Sequence, residues 1–492
     1  MKRHKHFMKI SSILLAVVLV LCSVGAVASA AEKTTSGMID ILASESNAQF
    51  TTQNRGAIEA VRDGALKLQD RIDISGYNLS VEDMEPLFAA VRACYPELFF
   101  LGLSYRYGYK TVNGKDYATA FIPSYEVSSA DELNTKLDAF YAKADEYLSL
   151  VDDSMNDFTK ALILHDAIVM NSEYFITKNN VSGTPYTLMV EGWGKCEDYT
   201  RAYAFLLAQA GIKSEIISSD SMNHEWMKIR LGGRYYQVDV TWDDPTSPYE
   251  HTDLPGRISH DYFLYSDSAF RNHSGYPQIN PSSDTTFDNY YLHNMRSQFC
   301  MVRGALYGIY TDGDSGKFKL VTYTADNQMT TVFDIASAIE SEEGRWATLW
   351  NAGGSSYYTR PFANLGVYDG LLYYNIPKAV YVYDPASNTN LKLAQYSGEN
   401  QLFGMKINDG KIYGNDVKDP NYSGTLVEVC DCLRMGDIED NGILNVVDAT
   451  KIQRYLAELE KFGAKELIKA DYDHDGVISV IDATAIQFAI AQ

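Results

Sequence analysis

Residues 194–211 read Gly194-Lys-Cys-Glu-Asp-Tyr-Thr-Arg-Ala-Tyr-Ala-Phe-Leu-Leu-Ala-Gln-Ala-Gly211. Apolar or aromatic side chains recur at positions 199, 203, 206, 207 and 210, a spacing that keeps one face of a helix apolar. Gly211 predicts the end of this helix, and Cys196 falls in its first turn. Unpaired amides and the positive dipole end favour a thiolate there, and the thiolate is the competent nucleophile. Position alone does not establish this role, because most lone cysteines near an apolar helix fill a core.

A second stretch, over residues 222–242, supplies partners for the cysteine. It reads Met-Asn-His-Glu-Trp-Met-Lys-Ile-Arg-Leu-Gly-Gly-Arg-Tyr-Tyr-Gln-Val-Asp-Val-Thr-Trp. The alternation on either side of Gly232 and Gly233 predicts two strands joined by a tight glycine turn.

The turn position sets which side chains share a face of this strand pair. With Gly232 and Gly233 as the loop, His224 lies opposite Thr241, and Asp239 lies opposite Trp226. Side chains two apart on a strand point the same way, so all four share one face. His224 and Asp239 then become diagonal neighbours, within reach of an imidazole–carboxylate hydrogen bond. A buried structural histidine is the alternative.

These residues predict a catalytic triad of Cys196, His224 and Asp239. Cys196 attacks an amide carbonyl, His224 transfers the proton to the departing amine, and Asp239 orients the imidazole ring. The Cys196 backbone N–H and one further donor, for which Trp193 is the candidate, hold the oxyanion. The alternative role for Trp193 is packing in the wall of the site.

The motifs resemble the transglutaminase-like superfamily, in its bacterial secreted branch. They are Gly-x-Cys followed by Tyr199, then Leu-Leu-x-x-x-Gly-Ile, His-x-Trp and Tyr-x-x-Asp-x-Thr-Trp-Asp-Asp-Pro. The similarity extends upstream through Ile163-Leu-His-Asp166 and Asn171-x-x-Tyr174, and it covers roughly residues 40–285. The resemblance implies a papain-like core of the α+β class and acyl transfer or hydrolysis through a thioester.

Two details qualify the resemblance. Asp198 and Thr200 stand where many relatives have Gly and Ala, a departure that bears on substrate fit. His165 and Asp166 form a second His–Asp pair, but on a helix they are expected to support packing behind the site.

The C-terminal tail contains an internal repeat. The segments 437–448 and 471–482 superpose at a 34-residue offset, with glycine at position 6 of each. Oxygen-bearing side chains at positions 1, 3, 5, 9 and 12, with a backbone carbonyl at position 7, form the calcium loop of an EF-hand. The predicted ligands of two calcium ions are Asp437, Glu439, Asn441, Ile443, Asn445, Asp448, Asp471, Asp473, Asp475, Val477, Ser479 and Asp482. A helix is predicted after each loop, over 449–456 and 483–490.

The paired loops resemble a type I-like dockerin module. Aspartate at position 12, where an EF-hand has glutamate, and the terminal location support this resemblance; Glu439 departs from the Asn or Asp expected at position 3. It implies attachment to a cohesin domain of a scaffold protein in the cellulosome of a fibre-degrading bacterium. Expected contacts are Val446, Val447, Thr450, Lys451, Arg454, Val480, Ile481 and Thr484, although the apolar ones could instead pack the module.

The N-terminus and the composition indicate the compartment. Residues 1–30 combine a basic head, an apolar run over 13–21 and a small-residue end, which predicts a secretory signal peptide. A lipid anchor on Cys22 is the alternative, although bulky Leu21 disfavours it.

The net charge of −22 becomes −26 without the four basic leader residues, which disfavours nucleic acid and anionic membrane as partners. The five remaining cysteines are too few and odd in number for a disulfide framework, and Cys430 with Cys432 makes at most half a zinc site.

The region 286–430 is rich in tyrosine and glycine. A short unit recurs as Gly304-Ala-Leu-Tyr307, Gly370-Leu-Leu-Tyr373 and Gly410-Lys-Ile-Tyr413. Three copies are too few for a closed propeller, so we expect blade-like antiparallel hairpins in an open sheet or a sandwich.

The chain is therefore predicted to have four segments. They are a signal peptide over 1–30, a catalytic domain with an N-terminal extension over 31–285, a β-rich domain of unknown function over 286–430 and a dockerin over 431–492. The leading hypothesis is a secreted, cellulosome-associated cysteine enzyme acting on protein or peptide amides. Removal of asparagine-linked glycans is an alternative activity. A catalytically silent display module is the alternative of another class.

Overall fold

The computed structural model describes residues 50–175, 183–276, 280–311, 318–335, 344–348, 356–358 and 360–491. The predicted signal peptide lies outside the described residues. Helices and several antiparallel sheets are mixed along the chain. Within the described ranges, no helix has both the length and the apolar character needed to cross a membrane. The chain divides into two units, of which unit 1 comprises residues up to 148, 200–236 and 271–283, and unit 2 comprises 149–199, 237–270 and 284–492.

Unit 1 begins with helices and a strand hairpin. Its helices are α1 (Arg55–Ala65), α2 (Met84–Cys94) and α3 (Ala130–Leu148). Its first sheet has the order β1-β3-β2, formed by β1 (Ile72–Asp73), β2 (Leu101–Val112) and β3 (Lys115–Tyr125). Asn113 and Gly114 both have positive φ, so β2 and β3 are joined by a tight Asn-Gly turn.

Unit 2 begins with a buried helix and a short parallel strand pair. Its first elements are α4 (Asp157–Asn171), β4 (Glu173–Tyr174), α5 (Pro185–Glu191) and β5 (Trp193–Gly194). The Asn156 side chain caps α4 by accepting the Thr159 N–H, and nearly every α4 residue is buried. Strand β5 pairs with β4, which places Gly194 beside Tyr174.

The next helix is the one predicted after Gly194. Helix α6 (Cys196–Gln209) begins at the cysteine itself, and Gly211 beyond its end has a φ of +82°. Of the predicted apolar face, positions 199, 203, 206 and 207 are fully buried, and Ala210, just beyond the end of the helix, is partly buried. This prediction is confirmed.

The prediction of a hairpin after α6 is confirmed for its turn and wrong for the end of its second strand. The strands here are β6 (Ser214–Ser219), β7 (His224–Leu231), β8 (Arg234–Val238) and β9 (Phe263–Tyr265). Gly232 and Gly233 both have positive φ, as the tight turn between β7 and β8 requires. Strand β8 stops at Val238, however, so Asp239 and Thr241 are not strand residues. The reason is that Asp239 Oδ1 accepts the N–H groups of Thr241 and Trp242, at 3.0 and 3.2 Å, and folds the chain into a turn.

Residues 300–431 of unit 2 form three antiparallel sheets among the described strands. Their orders are β10-β11-β12-β13, β14-β15-β16-β17 and β18-β19-β20. The strands are β10 (Cys300–Val302), β11 (Ala305–Thr311), β12 (Phe318–Tyr323), β13 (Met329–Phe333), β14 (Leu365–Tyr368), β15 (Leu371–Ile376), β16 (Ala379–Asp384), β17 (Thr389–Gln395), β18 (Gln401–Asn408), β19 (Lys411–Val417) and β20 (Thr425–Asp431).

The recurring Gly-x-x-Tyr unit has a structural cause. In each sheet its glycine closes the turn between the first two strands, and the preceding residue also has positive φ. The three turns are Arg303-Gly304, Asp369-Gly370 and Asp409-Gly410. The antiparallel hairpins that the repeat predicts are therefore present, and a blade-like domain stays a prediction.

The C-terminal segment carries α7 (Val446–Leu456), α8 (Ala464–Ala470) and α9 (Val480–Ala491). Helices α7 and α9 begin three residues earlier than predicted. At α7 the reason is a capping box, because the Asn445 side chain accepts the Val447 N–H and the Asp448 carboxylate accepts the Asn445 N–H. Position 12 of the calcium loop is therefore already inside the helix.

Candidate active site

Cys196 is held at the start of α6 by its neighbours in sequence. The Lys195 backbone N–H donates to Asp198 Oδ2 at 2.9 Å, which caps the first turn. Asp198 is 4% exposed, and a Cβ added to Gly183 or Gly194 would collide with it, at 2.0 and 2.8 Å. Asp198 thus caps the helix that begins at Cys196, and the two glycines leave room for its side chain.

Tyr174 is a candidate site residue that sequence reasoning did not single out. Its pKa is raised to about 12, first by burial and then by negative charge at Cys196, Asp239 and Asp198. Its hydroxyl therefore stays protonated at neutral pH and can donate a hydrogen bond. The motif Asn171-x-x-Tyr174 was the available signal, but it did not predict the electrostatic effect of Cys196, Asp239 and Asp198 on the phenol.

Asp239 lies in unit 2 and is fully buried. Its backbone N–H donates to the Tyr262 carbonyl at 2.9 Å. Its carboxylate holds the turn that ends β8. Cys196 and Asp239 both belong to unit 2, and both contribute electrostatically to the raised pKa of Tyr174.

His224 lies in unit 1, at the first residue of β7, where it pairs with Ser219 of β6. Its ring stacks on fully buried Trp226, with centroids 5.7 Å apart and an interplanar angle of 20°. A second histidine, His273, lies 5.8 Å from the His224 ring and 4.7 Å from the Trp226 ring. His273 is distant in sequence and carries no motif, so the sequence offered no signal for it. The triad as a whole stays a prediction.

The Trp193 side chain already makes a hydrogen bond within unit 2. Its indole N–H donates to Glu191 Oε2 at 3.1 Å. A role for this N–H in holding an oxyanion would therefore require the bond to Glu191 to break, which makes Tyr174 the better candidate donor.

The second His–Asp pair lies in a buried polar cluster in unit 2. His165 Nδ1 is 2.9 Å from Asp166 Oδ1, and His165 Nε2 is 3.2 Å from Asp243 Oδ2. Burial lowers the pKa of His165, but hydrogen bonds to Asp166 and Asp243 outweigh it and raise the pKa to about 9. Asp166 also contacts His260 Nε2 at 2.9 Å and accepts the Phe299 N–H at 2.6 Å. His165, Asp166 and His260 offer clustered metal-ligand atoms, but these are already paired with one another. This arrangement fits the expectation that His165 and Asp166 support the packing of the protein.

The four other described cysteines lie in surroundings that disfavour a thiolate. Burial raises the pKa of the Cys94, Cys300, Cys430 and Cys432 thiols, to about 12 for Cys94 and Cys432 and about 11 for Cys430. All five cysteines of the described chain are free. None of these four is placed as a nucleophile.

The first calcium loop is organised by its own carboxylates. Asp437 Oδ2 accepts the Gly442 N–H at 2.7 Å. Asp448 Oδ1 accepts the Glu439 N–H at 3.0 Å, and its Oδ2 accepts the Asn445 N–H at 2.9 Å. Positions 1 and 12 thus hold the loop closed through positions 3, 6 and 9.

The second loop repeats the same hydrogen bonds. Asp471 Oδ2 accepts the Gly476 N–H at 2.9 Å. Asp482 Oδ1 and Oδ2 accept the N–H groups of Asp473 and Ser479, at 3.2 and 2.7 Å. The internal repeat of the sequence is therefore a repeat of structure.

Calcium, which the dockerin resemblance implies, fits the second loop better than the first. Ligand atoms of Asp471, Asp473 and Asp475 lie within 4.8 Å of one another, and Asp471 Oδ1 is buried without a hydrogen-bond partner among the described residues. A cation satisfies such an orphaned oxygen. In the first loop, Glu439 at position 3 is 3.8 Å from Lys451 Nζ, so a lysine competes for that carboxylate.

Comparison with known proteins adds two partial likenesses. No family model matches the chain, and no curated protein matches it. One solved structure, a "putative cysteine protease" from Cytophaga hutchinsonii, is 14% identical with a TM-score of 0.18, covering 28% of this chain and 62% of that chain. Another, a "putative protease" from Parabacteroides distasonis, is 15% identical with a TM-score of 0.17, covering 27% of this chain and 36% of that chain. The chain thus spans less than two thirds of the length of either structure.

Proposed function

We propose that this chain is a transglutaminase-like cysteine enzyme that transfers or hydrolyses protein or peptide amides. Cys196 is the nucleophile, His224 the general base and acid, and Asp239 the residue that orients the imidazole. The observation that carries the proposal is the position of Cys196 in the first turn of a 14-residue helix, where the helix dipole favours a thiolate. Asp239 and Tyr174 belong to the same unit as Cys196.

The reaction begins when His224 takes the proton of the Cys196 thiol and the resulting thiolate attacks the carbonyl carbon of an amide. A C–S bond forms, and the carbonyl oxygen becomes an oxyanion. The Cys196 backbone N–H and the Tyr174 hydroxyl donate to it, because the raised pKa keeps the tyrosine protonated. The C–N bond then breaks as His224 protonates the leaving amine, and a thioester remains.

The thioester is released by a second nucleophile. An amine or a water molecule attacks its carbonyl carbon, and His224 accepts the proton that this nucleophile loses. The C–S bond breaks and returns Cys196 as a thiolate. An amine gives transamidation, and water gives hydrolysis.

We also propose that residues 431–492 form a module that binds two calcium ions and attaches the enzyme to a cohesin. This attachment would place the enzyme outside the cell. The two loops repeat the same hydrogen bonds, which supports this part. Val446, Val447, Val480 and Ile481 are 43–66% exposed, so they do not pack the core of the module and are available as a contact face.

Mass spectrometry of peptide libraries tests the enzyme. The protein is incubated with library peptides and amine donors, and Cys196→Ala is the matched inactive variant. A mass gain in peptides, or their cleavage, is expected with the native protein and not with Cys196→Ala. Cys300→Ala serves as the control, since Cys300 is a buried thiol of unit 2 and its loss should leave the chemistry intact.

The same experiment separates the alternatives. Loss of a glycan with conversion of asparagine to aspartate would identify deglycosylation. Equal signals from the native protein and Cys196→Ala, together with alkylation of Cys196 at a pH of about 6 no faster than that of a model peptide, would favour the display module.

A further inference from the structure

A cavity of about 290 Å³ in unit 2 lies beside the segment that leads to Cys196. Its wall includes Glu173 of β4 and Trp193 of β5, which are paired across the two strands. Asp244 and Asp253 form another part of the wall. None of these carboxylates has a role in the mechanism above, so the cavity needs an explanation of its own.

Asp244 and Asp253 form a hydrogen-bonded carboxyl pair. Asp244 accepts the Tyr199 hydroxyl at 2.6 Å. Burial and the charge of Asp253 raise the pKa of Asp244 well above its usual range, and burial together with Glu173 raises the pKa of Asp253 to about 7. Asp244 therefore keeps its proton and donates it to Asp253, and Asp253 is the member that ionises near neutral pH.

Ser172 provides an independent observation on the same wall. It is 5% exposed, and its Oγ has no hydrogen-bond partner among the described residues. A buried hydroxyl without a partner is costly unless a ligand or water meets it. Ser172 directly precedes Glu173, so the orphaned hydroxyl and an acidic side chain line the same cavity.

The charges of the wall favour a cation. Four acidic side chains, including Glu191, line the cavity against two basic ones, Arg257 and Lys406. Arg257 is held by backbone carbonyls, since its Nε donates to Phe403 O at 2.8 Å and its Nη1 donates to Pro420 O. The charges of the wall balance while both aspartates are protonated, and ionisation of Asp253, with Asp244 keeping its proton, gives the wall an excess of one negative charge.

We infer that this cavity is a subsite for a primary ammonium group of the substrate, held between the carboxylates of Glu173 and Asp253 with the Ser172 hydroxyl as a third acceptor. An ammonium group has three N–H donors, which matches three acceptors. This group is a recognition element and not the reacting amine, because an attacking amine must be unprotonated. The inference rests on the proposed function, since it concerns the substrate that Cys196 attacks.

The subsite predicts how binding depends on pH. Asp253 is neutral below pH 7 and anionic above it, and it faces Asp244, Glu173, Lys406 and Arg257. A lysine ammonium stays charged throughout this range. Affinity for the ammonium group should therefore rise about tenfold from pH 6 to pH 8, following the ionised fraction of Asp253.

Calorimetric binding to the full chain carrying Cys196→Ala tests the subsite without turnover. Three probes separate the sources of the charge. Nα-acetyl-lysine amide carries only a side-chain ammonium, norleucine amide carries only a terminal ammonium, and acetyl-norleucine amide carries none. We expect one of the charged probes to bind at pH 8 and the uncharged probe not to bind.

Second substitutions in this background identify the binding residues. Asp253→Asn should weaken binding at least tenfold, and Ser172→Ala should weaken it a few-fold. Glu428→Gln is the control, because Glu428 is an exposed residue of unit 2 paired with Lys411. Should Asp253→Asn fail to fold, Ser172→Ala and the pH series, which needs no cavity substitution, still decide the question. Equal binding of the uncharged probe, or equal binding by Asp253→Asn and Glu428→Gln, would overturn the inference.

The two proposals fail in different ways. Peptide chemistry that depends on Cys196 but shows no preference for ammonium-bearing peptides contradicts the subsite and leaves the enzyme standing. Binding of a charged probe that Asp253→Asn weakens, with no chemistry from Cys196, supports the cavity and contradicts the enzyme.

Discussion

Tyr174 shows how a single side chain takes its properties from groups far along the chain. Burial and the electrostatic effects of Cys196, Asp239 and Asp198 all raise its pKa, so each of them disfavours the phenolate. The result is a neutral phenol that can donate a hydrogen bond near the candidate nucleophile. Such a donor stabilises an oxyanion as it forms in a dry site, where hydrogen bonds are worth more than in water.

Tyr174→Phe should lower kcat by about 10²-fold or more, because one oxyanion donor is lost while the ring is kept. KM and the melting temperature should change little. Steady-state kinetics on the peptide identified by mass spectrometry measure the effect. Tyr249→Phe is the control, since Tyr249 is 63% exposed in the same unit. A kcat for Tyr174→Phe within twofold of the control would show that Tyr174 has no part in the chemistry.

At the scale of elements, short turns determine which strands pair. In unit 1 the Asn113-Gly114 and Gly232-Gly233 turns both place two successive residues at positive φ. In unit 2 the three Gly-x-x-Tyr hairpins use the same geometry. Glycine adopts positive φ without strain, and Asn and Asp tolerate it better than other L-residues, so every one of these turns contains glycine; Arg303 is the one residue among them outside this set.

Gly233→Ala should destabilise the hairpin of β7 and β8 by roughly 1–2 kcal/mol, the cost of a left-handed L-residue. The added Cβ meets nothing within 4 Å, so the cost comes from the backbone alone. Gly76→Ala is a matched control in the same unit, with open space around the Cβ and no positive φ. Hydrogen exchange of the β7 amides measures the opening free energy, and equal values for the two variants would contradict the argument.

At the scale of the whole molecule, chemistry and anchorage are predicted to be separate. The candidate nucleophile begins α6, and the predicted calcium ligands all lie after residue 436. Metal binding organises a loop whose carboxylates otherwise repel one another. Calcium should therefore govern attachment and the stability of the tail, and not the amide reaction.

Removal of calcium with a chelator should abolish binding to cohesins and leave the Cys196-dependent chemistry unchanged. When calcium is added back, the second loop should bind it first, because Lys451 competes with calcium for the Glu439 carboxylate in the first loop. Calorimetry of the full chain should then show two steps, and Asp475→Ala should remove the tighter one. Asn441→Ala, at the same loop position in the first repeat, should remove the weaker one. Loss of peptide chemistry on chelation would contradict the separation.

The sequence by itself determined the features whose causes lie within a few residues. The helix that starts at Cys196, the turn at Gly232-Gly233 and the carboxylate-closed loops at the C-terminus are all local, because periodicity, positive φ and short-range hydrogen bonds are written in adjacent positions.

The environment of the buried polar groups, in contrast, follows from contacts between segments that are distant in the chain. Asp166 meets groups 94 and 133 residues away, at His260 and Phe299, and Asp244 meets Tyr199 across 45 residues. Burial and charge at such positions depend on which distant segments fold together. For that reason the aspartate pair that lines one cavity with Ser172, and the raised pKa of Tyr174, could be recognised only once the chain was folded.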